Sequence, residues 1–157
     1  MVLADSAKVS IQSADFDVAA ELRALAHDRP GIGAVVTFTG LCRDESGTLA
    51  ALELEHYPGM AEEELRRVVA EAETRWPLLG VRVIHRFGLV RPGEQIVLAI
   101  AASAHRAVAF AAADFLMDYL KTRAPFWKKQ HRLDGTAGEW VEAKAADDSA
   151  AQRWAPP

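Results

Sequence analysis

The sequence is poor in cysteine, in long apolar runs and in positive charge, and each shortage excludes a class of protein. Cys42 is the only cysteine among 157 residues, so no disulfide can form within the chain, and a reducing compartment, the cytoplasm, is expected. The apolar run from Ile96 to Ala102 is far shorter than the ~20 residues that cross a bilayer. Met1 to Ser10 holds Asp5 and Lys8 and lacks the sustained apolar stretch of a secretory signal. A formal charge of −4 runs against general nucleic-acid binding, which draws on Lys and Arg to neutralise phosphates.

Familiar local signatures are missing too. Gly31-Ile32-Gly33 lacks the third glycine of a dinucleotide loop and precedes a strand instead of following one. His27, His56, His85, His105 and His131 show no short ligand spacing and have no second cysteine to help them, so no metal site is expected. There is no Walker loop, nucleophile elbow, zincin motif or internal repeat. The chain is half hydrophobic and a quarter charged, the balance of a globular protein. One domain over residues 1–157 is expected, with its core at about 9–145 and frayed termini.

The hydrophobic pattern predicts an α+β fold of mixed or antiparallel strands, about three helices and a C-terminal hairpin. A short strand over Val9 to Ile11 leads to a helix capped by Ser13 or Asp15, carrying Phe16, Leu22 and Leu25 and ended by Pro30-Gly31. Ala34 to Thr39 reads as a strand from its β-branched and aromatic content, and Leu49 to His56 as a second strand with one wet face. Leu65, Val68, Val69, Ala72 and Trp76 recur at helical spacing, with Glu62, Glu63 and Glu64 in the first turn complementing the helix dipole. Val81 to Leu89 and Glu94 to Ala102 predict two strands joined as a hairpin around Pro92-Gly93. A long helix starts at Ser103 and must end by about Ala124 because of Pro125. Phe126 to Arg132 and Glu139 to Ala143 form the second hairpin.

Chemistry concentrates in cations at the ends of these elements. Arg43 follows a strand, His105 and Arg106 open the long helix, Lys121 and Arg123 close it, and Lys128 and Lys129 follow at once. An arginine fork with lysine point charges suits a phosphate-bearing substrate, and element ends can converge on one pocket. The plainer reading stands beside it: Lys121 and Arg123 as charges favourable at a helix C-terminus, and Lys128 and Lys129 as protection for an edge strand. His105 and Arg106 fit that reading less well, since cations oppose the dipole at a helix N-terminus. Cys42 beside Arg43 invites a thiol-nucleophile hypothesis, but no base for it can be named.

Four segments resemble the molybdopterin synthase large-subunit family. They are Gly33 to Gly40 with Arg43-Asp44, Leu54 to Met60, Val83 to Gly88, and Ser103 to Arg106 continuing through Phe115 to Lys129. In order and spacing they cover most of Ile11 to Trp154. The resemblance implies an α/β hammerhead-type fold and a homodimer within a heterotetramer, with a small ubiquitin-like sulfur-carrier subunit at each end. The reaction implied is sulfur transfer from the carrier's C-terminal thiocarboxylate to cyclic pyranopterin monophosphate, forming a dithiolene without metal or organic cofactor.

By position, Lys121 and Lys128 match the family's catalytic lysines. Leu41, Cys42, Arg43, His105, Arg106, Lys129 and Gln130 fall with them in the implied substrate-binding set. Gln130 stands where the family has a glutamate, and Cys42 where an aliphatic residue is usual. The rival of a different class is a noncatalytic module that grips the tail of a ubiquitin-like partner.

Overall fold

The computed structural model describes residues 8–141 and 150–155. Its elements are β1 (Val9–Gln12), α1 (Val18–Ala26), β2 (Ala34–Leu41), β3 (Leu49–His56), α2 (Met60–Arg75), β4 (Leu78–Arg86), β5 (Gly88–Val90), β6 (Gln95–Ser103), α3 (Arg106–Arg123) and β7 (Phe126–Arg132). They form two sheets, a four-stranded one in the order β1-β4-β6-β2 and a three-stranded one in the order β5-β3-β7. β1 runs parallel to β4, and the other pairings are antiparallel. The α+β class is as expected.

β6 is the centre of the larger sheet, and its residues from Val97 to Ser103 are buried. Both of its faces are covered, which explains a continuous apolar run where a half-wet strand would alternate. Leu98, Ile100 and Ala102 pack with Phe16, Leu25 and Ile84 beneath α1. Val97 and Ala99 belong to the main core with Leu65, Val68, Phe115 and Leu116 of α2 and α3. Ala101 meets Ala112 and Ala113 of α3, where small side chains let helix and strand approach closely. Gly33 belongs to the same tight region: a Cβ there would lie 2.2 Å from the Ala104 carbonyl oxygen.

Several boundaries differ from the sequence expectations for local reasons. Asp17, not Ser13 or Asp15, caps α1 by accepting from the Ala20 N–H at 3.1 Å, while Asp15 accepts from Phe16 N and Gln95 Nε2. Glu62 does cap α2, accepting from the Gly59 N–H at 2.6 Å, whereas Glu63 and Glu64 pair with Arg67. The expected strand Val81 to Leu89 breaks at Phe87, because Gly88 takes φ 87° and turns the chain into the smaller sheet as β5. β4 and β6 pair antiparallel as a hairpin would, but β5 interrupts their connection. Ser103 ends β6 instead of opening α3.

The C-terminal hairpin is partial among the described residues. β7 forms, and its returning arm makes isolated bridges at Lys128↔Val141 and His131↔Ala137; positions 142 and 143 of the expected arm lie outside the described residues. The frayed C-terminus is corrected for residues 150–155. Ala151 is buried, and the Trp154 ring sits edge-on to both Trp76 and Phe115 at 5.6 Å. Asp118 fixes it, accepting from Trp154 Nε1 at 2.6 Å and from Arg153 Nη2 at 2.7 Å. The alanine-rich composition hid this anchor.

Phe115, fully buried, touches Trp76, Tyr119 and Trp154. Phe115→Ala should lower unfolding free energy in urea by about 3–5 kcal/mol, and Leu133→Ala, at an exposed position, by no more than about 0.5 kcal/mol.

Candidate active site

α3 and β7 deliver two lysines to one junction. Lys121 lies in the last turn of α3 and Lys128 is the third residue of β7, with Ala124-Pro125 between them. The proline forbids helix continuation and holds the preceding residue extended; Ala124 has ψ 121°. Both lysines are exposed. Along the pleated strand Phe126, Lys128 and Gln130 share one face, and Trp127, Lys129 and His131 share the other.

Lys128 sits across from Leu54 of β3, and Leu54 packs with Cys42, Leu49 and Val90. The lysine's charge is accordingly felt at Cys42 and at His85. Arg43 follows Cys42 directly and pairs with Glu45, its guanidinium largely in water. Leu41 is 55% exposed, beside a register shift at Gly40/Leu41. The backbone here is pinned, with Cys42 N donating to Glu94 O at 2.8 Å and Gly93 N donating to Cys42 O at 2.7 Å. Gln130 is exposed on the Lys128 face.

Four residues of the expected set lie elsewhere or turn away. Lys129 is on the opposite face of β7, its ammonium 5.3 Å from the Trp140 ring centroid. On that side a cleft of ≈ 490 Å³ is lined by Glu55, His56, Tyr57, Pro58, Trp127 and Trp140. Cys42 is 3% exposed, and its thiol faces the Val90 carbonyl at 3.7 Å, so the side chain is core and not pocket wall. Burial first, then the Glu94 charge, pushes its pKa up, which disfavours the thiolate a nucleophile requires.

His105 and Arg106 depart most from expectation. They lie at the N-terminus of α3, and at ~1.5 Å per residue the helix holds Arg106 roughly 22 Å from Lys121. Arg43 is equally remote from them: the β2–β6 ladder has Ala34↔Ser103 at one end and Leu41↔Gln95 at the other. Within a single chain the cations therefore divide, His105 and Arg106 lying at the Ser103 end of the β2–β6 ladder and both Arg43 and Lys121 lying far from them. A single convergent pocket is not what one copy contains. His105 and Arg106 are exposed, with no acidic residue in their helical turn.

Sequence reasoning missed an aromatic stack beside Lys128. His85 lies parallel to Phe126 at 3.7 Å between centroids and 12° between planes, and His56 stacks on the same residue at 5.9 Å. Burial, outweighing a hydrogen bond to the Arg86 carbonyl, lowers the His85 pKa to about 4, so this imidazole is neutral at physiological pH. The signal was present in the Val83 to Gly88 segment, but adjacency of His85 to β7 depends on pairings that no local pattern reports.

An α+β fold that brings two exposed lysines to one helix–strand junction has the charge to hold an anionic group. The MoaE protein family model matches residues 11–123. The molybdopterin synthase catalytic subunit of Mesorhizobium japonicum is 68% identical over 146 residues, covering 93% of this chain and 92% of that one. A MoaE protein structure from Burkholderia ambifaria superposes with a TM-score of 0.81 at 48% identity, covering 94% of this chain and 97% of that chain. A complex of subunits 1 and 2 of the molybdopterin-converting factor from Helicobacter pylori shares the fold, with a TM-score of 0.70 at 19% identity over 87% and 90% of the two chains. The chain belongs to the MoaE family of molybdopterin synthase catalytic subunits, sulfur-transferring enzymes of molybdenum cofactor biosynthesis.

Cys42 should react with iodoacetamide at pH 7.5 only after unfolding, and Cys42→Val should keep its sulfur-transfer activity. Rapid alkylation of the folded chain together with loss of turnover in the variant would restore the thiol hypothesis.

Proposed function

We propose that this chain takes sulfur from the C-terminal thiocarboxylate of a small ubiquitin-like carrier subunit and adds it, twice in sequence, to cyclic pyranopterin monophosphate in the cytoplasm. Each transfer forms a carbon–sulfur bond on the pterin side chain in place of a carbon–oxygen bond, the displaced oxygen leaving as water or staying on the phosphate, and hydrolysis of the acyl–sulfur bond returns the carrier as a carboxylate that carries a water oxygen. The observation that carries this reading is the placement of Lys121 and Lys128 at one helix–strand junction. Ammonium groups there can hold the thiocarboxylate, stabilise the oxyanion formed as the acyl–sulfur bond opens, and exchange protons with the pterin. Arg43, beside Cys42, suits the cyclic phosphate, because a guanidinium binds an anion through a fork without giving up a proton.

The separation of His105 and Arg106 from the lysines favours a homodimer as the working unit. β2 is an edge of its sheet and shows Val35, Phe38 and Leu41 to solvent. Antiparallel pairing of two β2 strands about a two-fold axis sets Ala34 of one copy opposite Leu41 of the other. That arrangement carries the second copy's His105 and Arg106 toward Arg43 of the first, gathering the cations that one chain keeps apart. A carrier at each lysine junction then gives the heterotetramer.

Lys121→Ala and Lys128→Ala should fold normally and lose ~10²-fold or more in single-turnover product formation at saturating pterin. Arg43→Ala should mainly raise the pterin concentration required. Near-normal turnover by both lysine variants would favour a docking module that only grips the carrier tail. Arg106→Ala mixed with Lys128→Ala should recover roughly one quarter of wild-type activity as subunits exchange, because half of the dimers then hold one intact site. No recovery in a mixture shown to contain hetero-dimers would place His105 and Arg106 outside the shared site.

A further inference from the structure

Lys128 adjoins an unusual piece of core. Phe126, two residues earlier on the same face of β7, is flanked by two imidazoles. His85 covers it in parallel at 3.7 Å, and His56, directly across the strand pair, lies 5.9 Å away and also meets Phe87 at 4.7 Å. Both histidines are only 9% exposed. Leucine or phenylalanine would fill this space without burying polar nitrogen, and the cost is visible: His56 Nδ1 is buried without a hydrogen-bond partner among the described residues.

The charges around the stack are few and differently employed. Glu62 of α2 stands 4.0 Å from His56 Nε2, but its other oxygen accepts the Gly59 N–H. Arg86 of β4 turns toward the Ser13 and Gln95 carbonyls and the carboxylates of Asp15 and Glu94. From β7 the charge felt at His85 is that of Lys128. His85 Nδ1 lies 2.8 Å from the Arg86 carbonyl, an acceptor only, so Nδ1 carries the proton and the ring is fixed in orientation.

We propose that the His85–Phe126–His56 stack is the positioning element of Lys128. The flat contact of His85 on Phe126, with the His56 ring 5.9 Å away and inclined by 29°, defines where β7 leaves the Pro125 turn, and the register of β7 against β3 carries that definition two residues on to Lys128. The neutral His85 ring does this without adding a cation beside the lysine. His85 and His56 touch no substrate in this scheme and act only through the strand.

This inference rests on the assignment of Lys128 as a catalytic group, so the test includes Lys128→Ala as a separate arm. His85→Leu retains apolar bulk but removes the flat face, and His85→Phe restores a flat ring. With reconstituted synthase, His85→Leu should lower kcat roughly 10- to 100-fold, the scale of a small misplacement of a reacting group, while KM for the pterin and carrier affinity stay unchanged. His85→Phe should return kcat close to wild type. Where His85→Leu does not fold, Phe126→Leu removes the same stack from its other side and has the same expected outcome. Wild-type kcat in a ring-less variant overturns the proposal, as does equal loss in His85→Phe, provided that Lys128→Ala is inactive. Activity in Lys128→Ala itself removes the assignment on which the proposal stands.

Discussion

The close seating of α3 on the central strand β6 is the contact on which the rest of this structure depends. Ala101 of β6 meets Ala112 and Ala113 of α3, while Val97 and Ala99 join Phe115 and Leu116 in the main core. Small residues on both partners bring the helix near the sheet, and dense packing of this kind tolerates little displacement. The two ends of α3 are thereby fixed. One places His105 and Arg106 at the Ser103 end of the sheet, and the other releases the chain at Pro125 into β7 with Lys121 and Lys128 on either side.

The same seating explains why the cations divide into two groups and why the C-terminus returns to the molecule. A helix from Arg106 to Arg123 cannot bring both of its ends into one pocket. Trp154 and Arg153 anchor on Asp118, one turn before the end of α3, and Trp154 completes the aromatic packing around Phe115. Helix position, aromatic anchor and the lysine junction are thus parts of one packed unit. The smaller sheet joins it through Phe126, whose strand pairs with β3 while its ring lies in the main core and stacks on His85 of β4.

Much of this was readable before folding. The periodic face Leu65, Val68, Val69 and Ala72 marked α2, Pro125 marked the end of α3, and the lysines near that proline marked the junction. The partition into two sheets was not readable, because alternation reports which face a strand buries and not which strand it pairs with. The break at Gly88 was concealed inside a stretch, Val81 to Leu89, whose β-branched and aromatic residues read as one strand. The distance between Arg106 and Lys121 could have been read from helix length alone; treating all element ends as neighbours obscured it. The role of Trp154 was masked by the alanine-rich residues around it.

The account comes down to whether the lysine junction performs sulfur transfer when supplied with its two substrates. The direct measurement is reconstitution of the purified chain with thiocarboxylated carrier and cyclic pyranopterin monophosphate, with mass spectrometry following the pterin. The account predicts a pterin carrying two sulfurs and carrier returned as carboxylate, both absent when the chain is omitted. Stable binding of the carrier with no sulfur reaching the pterin would contradict it.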